Sequence, residues 1–195
     1  MSFLGTSRWG YRGIRFAAWV LAVVAFLPSL AFAAADTADL EYRVKASYLF
    51  NFVKFVGWPE ASFTNSSAPF VIGLVGDDPF GRTVDETFAG RKTNGRSFVI
   101  RRFSPKDDPG NCHILFASLS DKSRLAKLLA SLRGRPVLTV GETDRFGELG
   151  GMVNFTVVGG TVKLEANPEA AVAAGLKVSS KLLAVSKVVK TELPQ

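Results

Sequence analysis

The chain has 195 residues, enough for one domain with a full core. Its single histidine and single cysteine exclude a His/Cys metal centre, which needs several such ligands, and an intramolecular disulfide. The formal charge of +7 falls to +4, 21 basic against 17 acidic side chains, once three arginines near the amino terminus are set aside. That excess is too mild for a nucleic-acid track.

Those three, Arg8, Arg12 and Arg15, precede an apolar run from Phe16 to Leu27. Pro28 and Ser29 break the run, and Ala31-Phe32-Ala33 supplies the small-x-small pattern that a signal peptidase cuts. Twelve apolar residues fall short of the roughly 20 that cross a bilayer. Residues 1–35 are therefore read as a cleaved signal peptide and 36–195 as one exported domain.

The first element of that domain is the stretch at 41–56, whose second half opens the sequence YLFNFVKFVGWPE, with five aromatic rings in thirteen residues. Arg43, Ser47, Asn51 and Lys54 fall on one narrow polar stripe of a helix, and Leu49, Phe52, Val53 and Val56 spread with the aromatics over most of the rest. Gly57 is expected to cap the helix, and Pro59 cannot continue it. Lys54 and Asn51 exclude a membrane span. An apolar surface wider than one sheet face covers needs the carboxy-terminal segment, a second protomer or another protein, so Tyr48, Phe52, Phe55 and Trp58 are candidate interface residues.

Strand-like runs follow at 70–76, 97–103, 113–118, 136–142, 152–158 and 161–166. Asp78 before Pro79 reads as a helix start, with Phe80, Val84 and Phe88 recurring every four residues. Ser120 or Asp121 caps a second helix carrying Leu125, Leu128, Leu129 and Leu132. Asn167-Pro168-Glu169 opens a third segment, expected to run to about Val189 with a break at Gly175. This rhythm predicts a single α/β domain: a mixed, mostly parallel sheet of five to six strands flanked by helices. Gly159-Gly160 joins the last two strands in an antiparallel hairpin expected at the sheet edge.

The chemistry is sparse. His113 stands alone, without a G-x-S-x-G elbow, a Walker loop or a G-x-G-x-x-G turn in the sequence, so no catalytic residue, metal or cofactor is expected. Cys112, ahead of HILFAS, reads as a buried inert thiol. The basic residues between Arg91 and Lys106 read as a solvated face. In parallel sheets ligands bind beyond the carboxyl ends of the strands. Those ends carry Asp77, Asp78, Ser118, Glu142 and Asp144, a candidate crevice for a small amine. The competing reading makes Asp78, Ser120 and Asp144 helix caps, each worth ~1 kcal/mol, and is the favoured one.

YLFNFVKFVGWPE, VIGLVGDDPFG, CHILFAS, LTVGE, GGMVNF and AAGLKVSSKLL followed by KVV, in this order over residues 41–189, resemble the YfiR family. The resemblance implies a periplasmic α/β protein without catalytic activity, often a homodimer. It implies a membrane-bound diguanylate cyclase or sensor kinase as partner, held inactive through its periplasmic domain, with effects on cyclic-di-GMP and biofilm formation. It also implies an outer-membrane lipoprotein that sequesters the repressor. The best-understood member carries disulfides that matter to its folding and redox response. Here Cys112 is alone, with Val71 and Ile72 on the strand where a bonding partner is expected. Redox control is therefore not carried over, nor is any contact residue.

Overall fold

The computed structural model of the protein describes residues 38–104 and 106–192; the signal peptide expected over 1–35 lies outside them. From Glu41 onward the chain forms one compact unit. Helix α1 (38–55) runs into a short strand β1 (Val56–Gly57) and a 3-10 turn (Glu60–Ser62). Then come β2 (Phe70–Gly76), α2 (Thr83–Phe88), β3 (Phe98–Phe103), β4 (Ile114–Ser118), α3 (Lys122–Ser131) and β5 (Leu138–Gly141). The last part holds β6 (Val153–Val158), β7 (Thr161–Ala166), α4 (Pro168–Ala173), β8 (Lys177–Val178), α5 (Ser180–Ala184) and β9 (Ser186–Val188).

Seven strands form the main sheet, in the order β3-β2-β4-β5-β6-β7-β9. The five from β3 to β6 are mutually parallel, β7 runs antiparallel to β6, and β9 lies parallel to β7. In chain order the parallel five read second, first, third, fourth, fifth, the doubly wound arrangement of flavodoxin-like domains. The central strands β2 and β4 are nearly continuous apolar runs because helices cover both faces. Edge strand β3 instead alternates half-buried Phe98, Ile100 and Phe103 with exposed Val99 and Arg101.

Each face has its own core. Phe70, Ile72, Leu74, Ile114, Phe116, Leu138, Val140, Val153 and Phe155 pack under α1 and α2, whereas Val75, Leu115, Ala117 and Phe146 pack under Leu125 and Leu129 of α3. The wide apolar girth of α1 is covered from three sides. Below it lies the sheet; Phe50 meets Phe88 of α2 and Phe98 of β3; and Ala171, Ala174, Leu176 and Leu182 from the carboxy-terminal elements join the same cluster. The polar stripe remains outward, with Arg43, Ser47 and Lys54 exposed.

Several boundaries differ from expectation, each for a local reason. The Asp78 carboxylate accepts from the backbone N–H groups of Phe80 and Gly81 at 3.0 and 3.2 Å, closing a turn ahead of the helix. Gly81 then takes a φ of +52°, so α2 begins only at Thr83. Gly57 pairs with Lys177 in the β1–β8 ladder instead of capping α1. Asn167 caps α4 as its sequence suggests, accepting from Ala170 N–H, but Gly175 at φ +74° stops helical growth. Beyond it the chain is not one helix: β8 docks on β1, α5 is short, and β9 adds a seventh strand. The β6–β7 hairpin, turned by Gly159 and Gly160 at positive φ, therefore has β9 outside it and is not the sheet edge.

Candidate functional site

The aromatic stretch divides by depth. Phe52 is 1% exposed and stacks between Tyr48 and Phe155, with centroids 6.3 and 6.1 Å away. It is core, with no surface to offer a partner. Tyr48, Phe55 and Trp58 are half-buried. Tyr48 opens onto a shallow groove of about 320 Å³ on the outward side of α1, with Arg43, Val44, Ser47 and Asn51. Phe55 lines a different groove with Gly57, Lys177 and Ser179, and its carbonyl accepts from Ser179 N–H at 2.8 Å. Trp58 turns inward, donating its indole N–H to the His113 carbonyl at 3.1 Å. The four candidates therefore do not form one patch.

The strand-end residues also separate. At the point where strand order reverses, between β2 and β4, the two loops touch: Asp77 N–H donates to the Ser118 carbonyl at 3.0 Å. A Cβ added at Gly76, where φ is +90°, would come within 2.0 Å of that same oxygen. Asp78 is turned toward β3, where Arg102 bridges it to Asp85 of α2, both at 2.7 Å. The guanidinium hydrogen bonds hold the Asp85 carboxyl below the usual carboxylate range.

Glu142 and Asp144 do share an opening, a groove of about 450 Å³ walled by Glu41, Tyr42 and Lys45 of α1 and floored by Asn154–Val157 of β6. Lys45 is the residue that sequence reading missed. Its side chain is 3% exposed, and its ammonium pairs with Glu142 at 2.6 Å and with Glu41 one turn back. Burial alone would push this ammonium's pKa down, but the hydrogen bonds to Glu142 and Glu41 outweigh it and the pKa is raised. The Tyr42 hydroxyl, raised by burial and by Glu142, donates to that carboxylate at 3.2 Å, and the Lys45 ammonium lies 4.5 Å from the Tyr42 ring. The Glu41-x-x-x-Lys45 spacing was the only available signal; nothing local pointed to Glu142, 97 residues away. Asn154 also lines this groove, and its Oδ1 is buried without a hydrogen-bond partner among the described residues.

Chemically, the arrangement is one of ion pairs, a turn closed by Asp78 and a fixed cation, with no nucleophile held by a base among the described residues. Of the expected caps, Asp121 rather than Ser120 caps its helix, and neither Asp78 nor Asp144 stands at a helix start. Among these residues no group of His, Cys, Asp and Glu is placed to hold a metal ion. Burial pushes the Cys112 thiol up to about 12, far from a reactive thiolate.

The strand order and the two-sided helix cover make this a doubly wound α/β domain. The YfiR/HmsC-like family model matches residues 42–187, about three quarters of the chain, and the chain belongs to that family. The family is regulatory, not catalytic, and is known for periplasmic control of diguanylate cyclases. No curated protein matches the chain. Among the described residues no helix is long and apolar enough to cross a membrane.

Proposed function

We propose that the protein is exported to the periplasm and represses an inner-membrane diguanylate cyclase, or a similar sensor protein, by direct contact with its periplasmic domain. The observation that carries this reading is the family match across 42–187. The contact surface is assigned to the outward side of α1, where Tyr48 and the 38% exposed Val44 flank a groove beside the polar stripe. A half-buried ring already held by Phe52 and Phe155 has little entropy left to lose, which suits an interface anchor. Phe55, in the separate groove at the carboxyl end of the helix, is a second candidate contact, whereas the inward-turned Trp58 is not assigned to the surface. A homodimer and an outer-membrane lipoprotein belong to the same proposal as further partners.

The test is binding of the purified protein to the periplasmic domain of a membrane cyclase made by the same cell. Tyr48→Ala is expected to weaken binding at least tenfold, the scale of an anchor worth ~2 kcal/mol, while the melting temperature falls by no more than a few degrees. Unchanged affinity would remove this face from the interface.

A second reading is favoured by one observation. The groove holding Glu142 and Asp144 also carries the Asn154 Oδ1, an acceptor unpartnered among the described residues, which with the exposed Asp144 carboxylate suits a small amine, while the Lys45 ammonium already occupies Glu142. A ligand there is expected to raise the melting temperature of the wild type and not of Asp144→Asn.

A further inference from the structure

The connector between β1 and β2, residues 58–69, lies over the end of the sheet and is fastened from both sides. From outside, the Arg96 guanidinium donates to the carbonyls of Asn65 and Ala68 at 2.9 and 2.7 Å and sits 3.9 Å from the Phe63 ring centroid. From inside, the fastening is His113. Its imidazole is 6% exposed, stacked on Phe63 at 4.4 Å and met edge-on by Phe70 and Trp58. Nδ1 accepts a hydrogen bond from Val71 N–H at 3.0 Å, so the proton of the neutral ring is on Nε2. Nε2 lies toward the Ser62 backbone without a hydrogen bond of normal geometry, and the buried Ser62 hydroxyl is unpartnered as well.

This geometry tolerates only the neutral ring. A second proton has to go on Nδ1, where it would face the Val71 N–H and abolish the acceptor on which that bond depends. The new charge would have no carboxylate beside it among the described residues. The charged group that acts on the ring is Arg96, of the same sign, and the other elements packed on the ring present Phe63, Phe70, Trp58 and the backbone of Val71 and Ser62, the last at the already protonated Nε2.

We propose that His113 is an acid-operated latch: the neutral imidazole holds the 58–69 connector against β2 and β4, and its protonation releases the connector and bares Trp58, Phe63 and Phe70. Burial depresses the pKa of His113 in the closed form below the ordinary 6.5; the Ser62 backbone opposes the shift in part and Arg96 adds to it. A depressed histidine contributes its stability fully above the unfolded value and loses it as pH falls below that value toward the closed-form pKa. Within that window each pH unit shifts the closed-to-open ratio about tenfold toward open. The latch acts whether or not the protein meets a cyclase, so its test uses the purified chain alone.

His113 is the only histidine in the sequence, and Trp58 is the only tryptophan after residue 19. In the full chain carrying Trp9→Phe and Trp19→Phe, the His113 Cε1–H resonance is titrated by NMR while Trp58 emission is followed over the same pH range. Expected is a reversible red shift of Trp58 emission with a midpoint below 6.5, coincident with the imidazole titration, and tenfold or greater loss of amide protection at Val71. His113→Asn, which keeps an oxygen acceptor near Nδ1 and cannot titrate, is expected to abolish the shift. A ring that titrates while Trp58 emission and Val71 protection stay constant overturns the latch. So does a Trp58 transition at a pH where the ring does not titrate, and the wild-type experiment decides both without the variant.

Discussion

Lys45 sits among apolar neighbours with its charge answered by two carboxylates, one from its own helix and one from the loop after β5. Removing one partner from a buried ion pair leaves the others desolvated, at a cost of ~3–5 kcal/mol. Because Glu142 is 20% exposed, Lys45→Met is expected at the low end, ~3 kcal/mol by urea denaturation. Adding Glu142→Leu is expected to restore part of the loss, and a double mutant whose loss equals or exceeds the sum of the single losses would contradict the pairing. The two rings of α1 separate by measurement too. Phe52→Ala is expected to cost ~3–5 kcal/mol of fold stability, while Tyr48→Ala is expected to leave the melting temperature within a few degrees of wild type. Cys112, with its thiol at about 12, is expected to react with Ellman's reagent at mildly alkaline pH only after unfolding, and reducing agent to leave the melting temperature unchanged. Fast labelling of the native protein would show the thiol open.

At the scale of elements, the loop contact at the strand-order reversal rests on one glycine. Gly76 at φ +90° lets the chain turn while its Cα faces the Ser118 carbonyl. Gly150 has a similar φ of +97°, but a Cβ added there would meet only open space. Gly150→Ala is therefore expected to cost ~1 kcal/mol of backbone strain, and Gly76→Ala clearly more, because the backbone must also move. Equal losses would show that the loops are not in firm contact. The same scale explains what could be read beforehand. Strands β2, β4 and β7 were legible because buried apolar runs and clean alternation carry their own period. The cap at Asn167 was legible, and so was the Gly159-Gly160 turn. The tail was not: Ala- and Leu-rich 168–189 has helical composition, and only pairing with β1 and β7 turns Lys177–Val178 and Ser186–Val188 into strands. The candidate site fared less well for the same reason. Asp77, Asp78 and Ser118 sit at strand ends as expected, yet their partners, Arg102 among them, are set by tertiary register that no local pattern records.

For the molecule as a whole, a helix that sequence reading gave too much apolar girth turns out to be covered by its own domain on three sides. The reason for seeking a partner has therefore shifted from unsatisfied burial to the family match and to a narrower feature, the groove beside Tyr48. The measurement that bears most directly on the proposed repression is cyclic-di-GMP in cells that lack this protein, complemented with the wild type or with Tyr48→Ala made to the same level. Expected is a rise on loss of the protein, full reversal by the wild type, and failure of Tyr48→Ala to reverse it. A cyclic-di-GMP level that stays constant when the protein is removed and restored would contradict repression of a cyclase altogether.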